Sequence, residues 1–177
     1  PEDALASSRG GARILIPTSV GAYIGGTTME SLLSVALSLR GAKVSVLLCD
    51  GALPACFDCM MGLTISEREL VSRGVTPFLC RRCYRSGLEV YKGLGVEVLR
   101  YSDFISVQER EDLKAKVLRS PLADIGPLVD DGVPIGEHAM AGALRFYARG
   151  ELGKSPAEEQ VLRCFLEAAL ITARVMK

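Results

Sequence analysis

The chain of 177 residues contains no tryptophan, a single histidine and no excess of either charge. Because His138 is the sole imidazole, a Ser–His or Cys–His catalytic pair has only one possible base, and a metal site of several histidines is excluded. Lys plus Arg and Asp plus Glu each number 21, so the chain lacks the basic excess that is typical of nucleic-acid binders. We therefore expect no nucleic acid among its partners.

Long apolar runs are absent as well. No run reaches the roughly 18 residues of a membrane span, so we expect no transmembrane segment. The first residues have neither the charged-then-apolar layout of a signal peptide nor an initiator methionine. These features indicate a cytoplasmic protein that was processed or that belongs to a longer chain. In that compartment cysteine thiols usually stay reduced.

The remaining composition is that of a folded α/β protein, with 49% hydrophobic and 24% charged residues. Residues 1–12 are polar and predict a flexible arm, and residues 13–177 predict a single α/β domain. Short β-rich runs predict strands at 13–17, 43–49, 75–79 and 96–101, and helical spacing predicts helices at 27–40, 83–94 and 137–149. Ser-x-x-Glu capping boxes predict three more helices, which begin after Ser66, Ser106 and Ser155. The alternation predicts a Rossmann-like parallel sheet, followed by a loop over 120–136 and a helical section over about 137–177.

Two C-x-x-C pairs, Cys56 with Cys59 and Cys80 with Cys83, are separated by twenty residues. This spacing is typical of a four-thiolate zinc site, in which each pair supplies two corners of a tetrahedron. We therefore predict a structural Zn²⁺ ion on these four cysteines, within an insertion over about 54–84. An iron–sulfur cluster, a redox or sulfur-handling thiol, and plain buried side chains are the alternatives. Cys49 and Cys164 are expected to be packing residues.

The loop after the first predicted strand contains the candidate ligand-binding residues Gly25, Gly26, Thr27 and Thr28. Ligands of open α/β sheets bind outside the carboxyl ends of the strands, and the free N–H groups of a helix start attract anions. Asp50 ends the second predicted strand, where a carboxylate can hold sugar or ribose hydroxyls. A flexible turn with a threonine cap and an ordinary Asp-Gly turn explain the same residues without a ligand.

The sequence pattern identifies no catalytic residue, and the candidates are His138 and Glu137. Both follow a loop rich in proline and glycine and open a predicted helix. His138 is a candidate base or ligand contact, and Glu137 suits the positive end of the helix dipole. An exposed helix position without any task is the competing interpretation of His138.

Three stretches together resemble a known family: GGTTMESLLSVALSLRGAKVSVLLCDGALPAC, CRRCYRSGLEVYKGLGVEVLRYSDF and PIGEHAMAGALRFYARGEL. They are similar to the N-terminal half of bacterial capsule and surface-polysaccharide biosynthesis glycosyltransferases of the GT-B type. The resemblance implies an acceptor-side domain whose enzyme transfers a sugar from a nucleotide-sugar donor to a sugar acceptor. It also implies a C-terminal Rossmann half, or a partner chain, that holds most of the donor. Gly25, Gly26, Thr27 and Asp50 would line the cleft, and His138 or Glu137 would approach it.

Two other classes compete with the glycosyltransferase hypothesis. The chain also resembles DsrE-like sulfur-handling proteins, in which a cysteine follows a later strand, and Cys80 or Cys83 would then carry a persulfide. Such a carrier needs a thiol of low pKa, which Arg81 and Arg82 would favour. The third class is a non-catalytic module, stabilised by zinc, that docks a partner chain.

Overall fold

A computed structural model describes residues 11–177, and residue contacts group them into two compact units. Unit 1 holds the described part of Pro1–Gly51 together with Phe78–Asp103, and unit 2 holds Ala52–Pro77 and Phe104–Lys177. In chain order the elements are β1 (Arg13–Thr18), α1 (Ile24–Leu39), β2 (Lys43–Leu48), α2 (Glu67–Arg73), α3 (Pro77–Gly93), β3 (Glu97–Arg100), a 3-10 turn (Tyr101–Asp103), α4 (Val107–Arg119), α5 (Leu122–Ile125), α6 (Ile135–Tyr147) and α7 (Pro156–Val175). The predicted single domain over 13–177 stays a prediction. Most of the predicted arm, residues 1–10, lies outside the described residues.

Unit 1 is a mixed α/β unit with a three-stranded parallel sheet in the order β1-β2-β3. β2 pairs with both neighbours, Arg13 with Lys43 at one side and Ser45 with Glu97 at the other. The core of this unit forms around the central strand, where Val46 and Leu48 are fully buried. Burial of the central strand explains the aliphatic run at its end, residues 46–48. The predicted parallel sheet is confirmed.

Three of the four predicted strands are confirmed, but the predicted strand at 75–79 is wrong. Pro77 instead opens α3, because proline lacks an N–H donor and its fixed φ suits the first turn of a helix. α3 continues through Gly87, where Leu48 and the backbone of Gly21 approach so closely that a larger side chain has no room. A Cβ atom at Gly87 would lie 2.8 Å from the Gly21 Cα. The short apolar run 75–79 is equally compatible with a strand and with the start of a helix.

Helix α1 presents a different face to the sheet from the one that its apolar spacing indicates. Met29 is 70% exposed, and Leu32 and Leu33 are also exposed. The buried side chains are Thr27, Ser34 and Ser38. The Ser34 hydroxyl donates a hydrogen bond to the Glu30 carbonyl at 2.7 Å, so its polar group is satisfied within the helix. Small side chains allow a close helix–sheet contact, which leaves the large apolar side chains on the outer surface.

Unit 2 is built from helices α2 and α4–α7 around its own hydrophobic core. The core includes Phe146 from α6 and Leu166 from α7. All three predicted capping boxes are confirmed, with reciprocal hydrogen bonds between each serine and the glutamate three residues later. The predicted loop over 120–136 contains one short helix, α5. Among the described residues, none of the helices combines the length and hydropathy needed to cross a bilayer.

Candidate functional site

The carboxyl end of the sheet in unit 1 gathers polar side chains from successive strands. Asp50 lies just after β2, and Ser102 lies just after β3. The Ser102 hydroxyl donates a hydrogen bond of 2.5 Å to one Asp50 carboxylate oxygen, and the Ser102 N–H donates to the other at 3.3 Å. These bonds orient the carboxylate at the edge where ligands of parallel sheets bind. The ligand-binding role of Asp50 stays a prediction.

A second polar cluster joins the end of β1 to two helices of unit 1. One carboxylate oxygen of Glu30 accepts hydrogen bonds from the Thr18 hydroxyl at 2.6 Å and from the Tyr91 hydroxyl at 2.7 Å. Tyr91 is 0% exposed, and burial raises the pKa of its phenol to about 12. The phenol is therefore a hydrogen-bond donor throughout the neutral pH range. Sequence reasoning missed this cluster, because nothing in the spacing links Glu30 to Tyr91.

The predicted glycine loop is in fact the first turn of α1. Gly25 and Gly26 lie inside this helix and pack against the Tyr23 ring, and a Cβ atom at Gly26 would lie 2.8 Å from a ring carbon. The Thr27 hydroxyl donates to the Tyr23 carbonyl at 3.1 Å. The expectation that helix α1 starts at residue 27 is therefore wrong by one turn. Packing under Tyr23 accounts for both glycines, and their role in ligand binding stays a prediction.

A cavity of about 550 Å³ lies beside this turn, between α1 and α3 of unit 1. Its volume is within the range of small-molecule sites. Its lining is mostly apolar and adds one cation and several hydroxyls: Gly21, Ala22, Ile24, Thr27, Thr28, Ser31, Leu32, Arg82, Ser86, Val90 and Leu94. Two of the predicted ligand residues, Thr27 and Thr28, therefore line a cavity. Gly25, Gly26 and Asp50 do not line it.

The second cysteine pair lies on the first turns of α3, not at a strand end. Cys80 and Cys83 are three residues apart in this helix, which places them on one face. The Cys83 sulfur accepts a hydrogen bond from the Ala22 N–H at 3.4 Å. Gly21 permits this contact, because a Cβ atom there would lie 2.6 Å from the Cys83 carbonyl oxygen.

The first cysteine pair forms a tight turn in unit 2. The Cys59 N–H donates to the Cys56 carbonyl at 3.1 Å, and the two sulfur atoms lie 4.0 Å apart. The hydrogen bond between the two thiols lowers the pKa of Cys59 and raises that of Cys56, and burial raises the pKa of Cys56 further. Cys59 is 2% exposed, whereas Cys56 is half-buried.

The side chain of Arg145, on helix α6, binds the backbone carbonyls of this turn. The guanidinium donates to the carbonyl oxygens of Phe57, Cys56 and Cys59, with a distance of 2.9 Å to that of Cys56. It also lies 4.5 Å from the centre of the Phe57 ring, a cation–π contact. Partial burial lowers the pKa of Arg145. Sequence reasoning missed this contact of Arg145, because no spacing rule connects the residue to a turn 86 residues earlier.

The predicted four-thiolate site stays a prediction. Its two cysteine pairs belong to different units, Cys56 and Cys59 to unit 2 and Cys80 and Cys83 to unit 1. Within residues 11–177, no three His, Cys, Asp or Glu side chains are grouped as metal ligands. The remaining cysteines are packing residues as expected, since Cys49 is buried and Cys164 packs against the core of unit 2.

The two catalytic candidates lie on the first turn of α6 in unit 2. Glu137 and His138 are both exposed there. The predicted ligand residues Gly25, Gly26, Thr27, Thr28 and Asp50 belong to unit 1. The catalytic roles of Glu137 and His138 stay predictions.

Comparisons of this chain with protein-family models, with curated proteins and with solved structures gave no match.

Proposed function

We propose that this chain is the N-terminal, acceptor-side domain of a glycosyltransferase in surface-polysaccharide biosynthesis. The observation that carries the proposal is Asp50, a carboxylate held by Ser102 at the carboxyl end of a parallel sheet. The strand order β1-β2-β3 is also that of the first three strands of a Rossmann sheet, which supports a Rossmann-like class. A C-terminal Rossmann half or a partner chain supplies the site for the nucleotide-sugar donor.

The Asp50 carboxylate at the carboxyl end of the sheet suits a sugar acceptor. A carboxylate has about four lone-pair positions. Ser102 uses two of the positions on Asp50, so others remain for sugar hydroxyls. Transfer also needs a base that removes the proton of the acceptor hydroxyl. Glu137 and His138 are the candidates for that role in this proposal.

Turnover of nucleotide-sugar tests the proposal, measured on this chain together with its C-terminal half or partner chain. A hydrogen bond to a charged group contributes about 1.5–3 kcal/mol, so Asp50→Asn is expected to lower kcat/KM roughly 10- to 100-fold. Asp124→Asn, at an exposed position of α5, is the matched control and is expected to leave kcat/KM unchanged. Absence of turnover when the second half is supplied would exclude the glycosyltransferase.

A sulfur-handling protein is the second candidate, and the Ala22 N–H on the Cys83 sulfur favours it. A backbone donor near a helix start stabilises a thiolate and raises its reactivity at neutral pH. If this candidate is correct, iodoacetamide will alkylate Cys83 much faster than the other cysteines, and Cys83→Ser will abolish that fast phase. Uniformly slow alkylation of a metal-free chain would exclude a reactive carrier.

We also propose a structural Zn²⁺ ion on Cys56, Cys59, Cys80 and Cys83. The first pair fits the ion, since tetrahedral Zn–S bonds of about 2.3 Å place two sulfurs about 3.8 Å apart. The observed separation of 4.0 Å is close to that value. Cys80 and Cys83, on one face of α3, are proposed as the second pair. The ion would rigidify the chain without entering the reaction.

Metal analysis tests the zinc proposal. We expect about one zinc per chain, with all four thiols protected from alkylation until a chelator is added. A metal-free chain after purification without chelator, with no zinc uptake, would contradict it. Bound zinc without nucleotide-sugar turnover would instead support the non-catalytic docking module.

A further inference from the structure

The backbone of the Cys56–Cys59 turn is held at every carbonyl. Those of Cys56, Phe57 and Cys59 accept hydrogen bonds from Arg145. The carbonyl of Asp58 accepts one from the Thr64 hydroxyl at 2.6 Å. A short turn at the surface usually leaves such oxygens to water. Because all four carbonyls are paired within the protein, contacts with the rest of the fold fix the conformation of this turn.

The residues that hold the turn are themselves fixed. Arg145 lies on α6 between the fully buried side chains of Ala143 and Phe146. The Met61 N–H donates to the Phe146 carbonyl at 3.0 Å, which attaches the chain just after the turn to the end of the same helix. Arg145 and Phe146 thus anchor both ends of residues 56–61 to one rigid element. The planar guanidinium can serve several acceptors at once, which a lysine ammonium cannot do in the same geometry.

The consequence of this anchoring is a fixed position for two sulfur atoms. Cys56 Sγ and Cys59 Sγ lie 4.0 Å apart, close to the separation of two thiolates on one tetrahedral ion. When the ligands are already in position, metal binding does not have to supply the conformational entropy cost of ordering them. The positive guanidinium beside the turn also offsets the charge of the thiolates that a metal requires.

We propose that Arg145 is the positioning residue of a preformed two-thiolate metal site at Cys56 and Cys59. This inference rests on the proposed zinc site. It adds that the two ligands in unit 2, Cys56 and Cys59, are already in position before the ion binds. Arg145 touches the ligands only through their backbone. It acts by holding the two sulfurs at the distance that the metal needs.

Titration of the reduced chain with Co²⁺, followed by displacement with Zn²⁺, tests the inference through the thiolate-to-cobalt absorption. Loss of an outer contact of a metal site typically weakens affinity about 10- to 100-fold, and we expect that range for Arg145→Lys. Lysine retains the charge but cannot bind three carbonyls in the same way. Arg149→Lys is the matched control, since Arg149 contacts the Tyr147 ring and Glu158 but not the turn.

A second measurement separates positioning from a general loss of stability. Metal that binds only the folded state raises Tm by an amount that depends on its affinity. We expect Arg145→Lys to reduce the rise in Tm on adding Zn²⁺, and not only the Tm of the metal-free chain. An equal rise in the wild type and in Arg145→Lys would overturn the positioning role while leaving the zinc site intact. No metal binding by the wild type would overturn both proposals.

The exposed Thr64 provides a variant that leaves the core untouched. Thr64→Val removes the bond to the Asp58 carbonyl and the contact with the Met60 N–H, while Arg145 stays in place. We expect metal affinity to fall severalfold with little change in the Tm of the metal-free chain. If Arg145→Lys does not fold, Arg145→Gln is measured in its place, and wild-type metal affinity in that variant would overturn the positioning role of Arg145.

Discussion

At the scale of single residues, Tyr91 shows how the fold creates a polar contact that sequence spacing does not indicate. Its ring belongs to the core of unit 1, and its hydroxyl reaches the same Glu30 oxygen that Thr18 binds. The Glu30 carboxylate on α1 thus receives two donors from elements far apart in sequence, the end of β1 and α3. Two donors on a partly buried charge stabilise it and fix the end of the strand relative to both helices.

Tyr91→Phe tests this contact. Removal of the phenol leaves the Glu30 carboxylate with one donor fewer, so we expect the free energy of unfolding to fall by about 1.5–3 kcal/mol. Urea denaturation measures the change. Tyr84→Phe, on the same helix and less deeply buried, is the control and should leave stability nearly unchanged. Equal stability of the wild type and Tyr91→Phe would mean that this hydrogen bond contributes nothing.

At the scale of the elements, close approach and charge decide where helices pack. α3 packs at Gly87 against the loop that follows β1, and α1 faces the sheet with small hydroxyl side chains. Helix α4 is tied to α7 by Glu109, which is both the capping-box residue of α4 and the ion-pair partner of Arg174. For each of these residues, the neighbouring sequence predicts either a different structural role or no role.

Gly87→Ala separates helix propensity from packing. Alanine favours a helix over glycine by about 1 kcal/mol. A Cβ atom at Gly87 would, however, lie 2.8 Å from the Gly21 Cα, and we expect this clash to outweigh the gain. Gly93→Ala at the end of α3 meets no atom within 4 Å and should be neutral or stabilising. Thermal unfolding of both variants measures the contrast, and a higher Tm for Gly87→Ala would contradict the close approach.

The link between α4 and α7 predicts a pH dependence of stability. The backbone N–H of Ser106, followed by Arg174, lowers the pKa of Glu109 to about 2. A lowered pKa in the folded state contributes stability above the unfolded pKa of about 4.3, and that contribution is lost as the pH falls through the folded pKa. Glu109→Gln should therefore be less stable than the wild type at pH 7, and the difference should vanish towards pH 2.

Chemical denaturation over this pH range measures the effect. Glu111→Gln, at an exposed position of the same helix, is the control and should follow the wild type. A stability difference for Glu109→Gln that does not depend on pH would show that the capping carboxylate acts by packing and not by charge.

At the scale of the whole molecule, each unit of the described chain has a hydrophobic core of its own. One surrounds the sheet of unit 1, and the other lies among α2 and α4–α7 in unit 2. Separate cores allow separate cooperative unfolding. The candidate ligand residues at the sheet belong to unit 1, and Arg145 with the Cys56–Cys59 turn belongs to unit 2.

Leu166→Ala tests whether the cores are independent. Leu166 is fully buried in unit 2, and its truncation should cost about 2–5 kcal/mol. Native-state hydrogen exchange is expected to show lower protection for the amides of α6 and α7 and nearly unchanged protection for those of β2. An equal loss in both units would show that the chain unfolds as one cooperative body.

Local sequence patterns were sufficient to predict the elements that depend on local chemistry. The three capping boxes, the strand–helix–strand start and the parallel sheet follow from periodicity and from side chains that bond their own backbone. Pro77 could not be assigned in this way, because a short apolar run fits a strand and a helix start equally well. Gly87 and the outward face of α1 could not be assigned either, because each depends on which backbone comes close to it. The same holds for Glu30 with Tyr91 and for Arg145 with the Cys56–Cys59 turn. These contacts join residues far apart in the chain, and long-range packing alone determines which donor meets which acceptor.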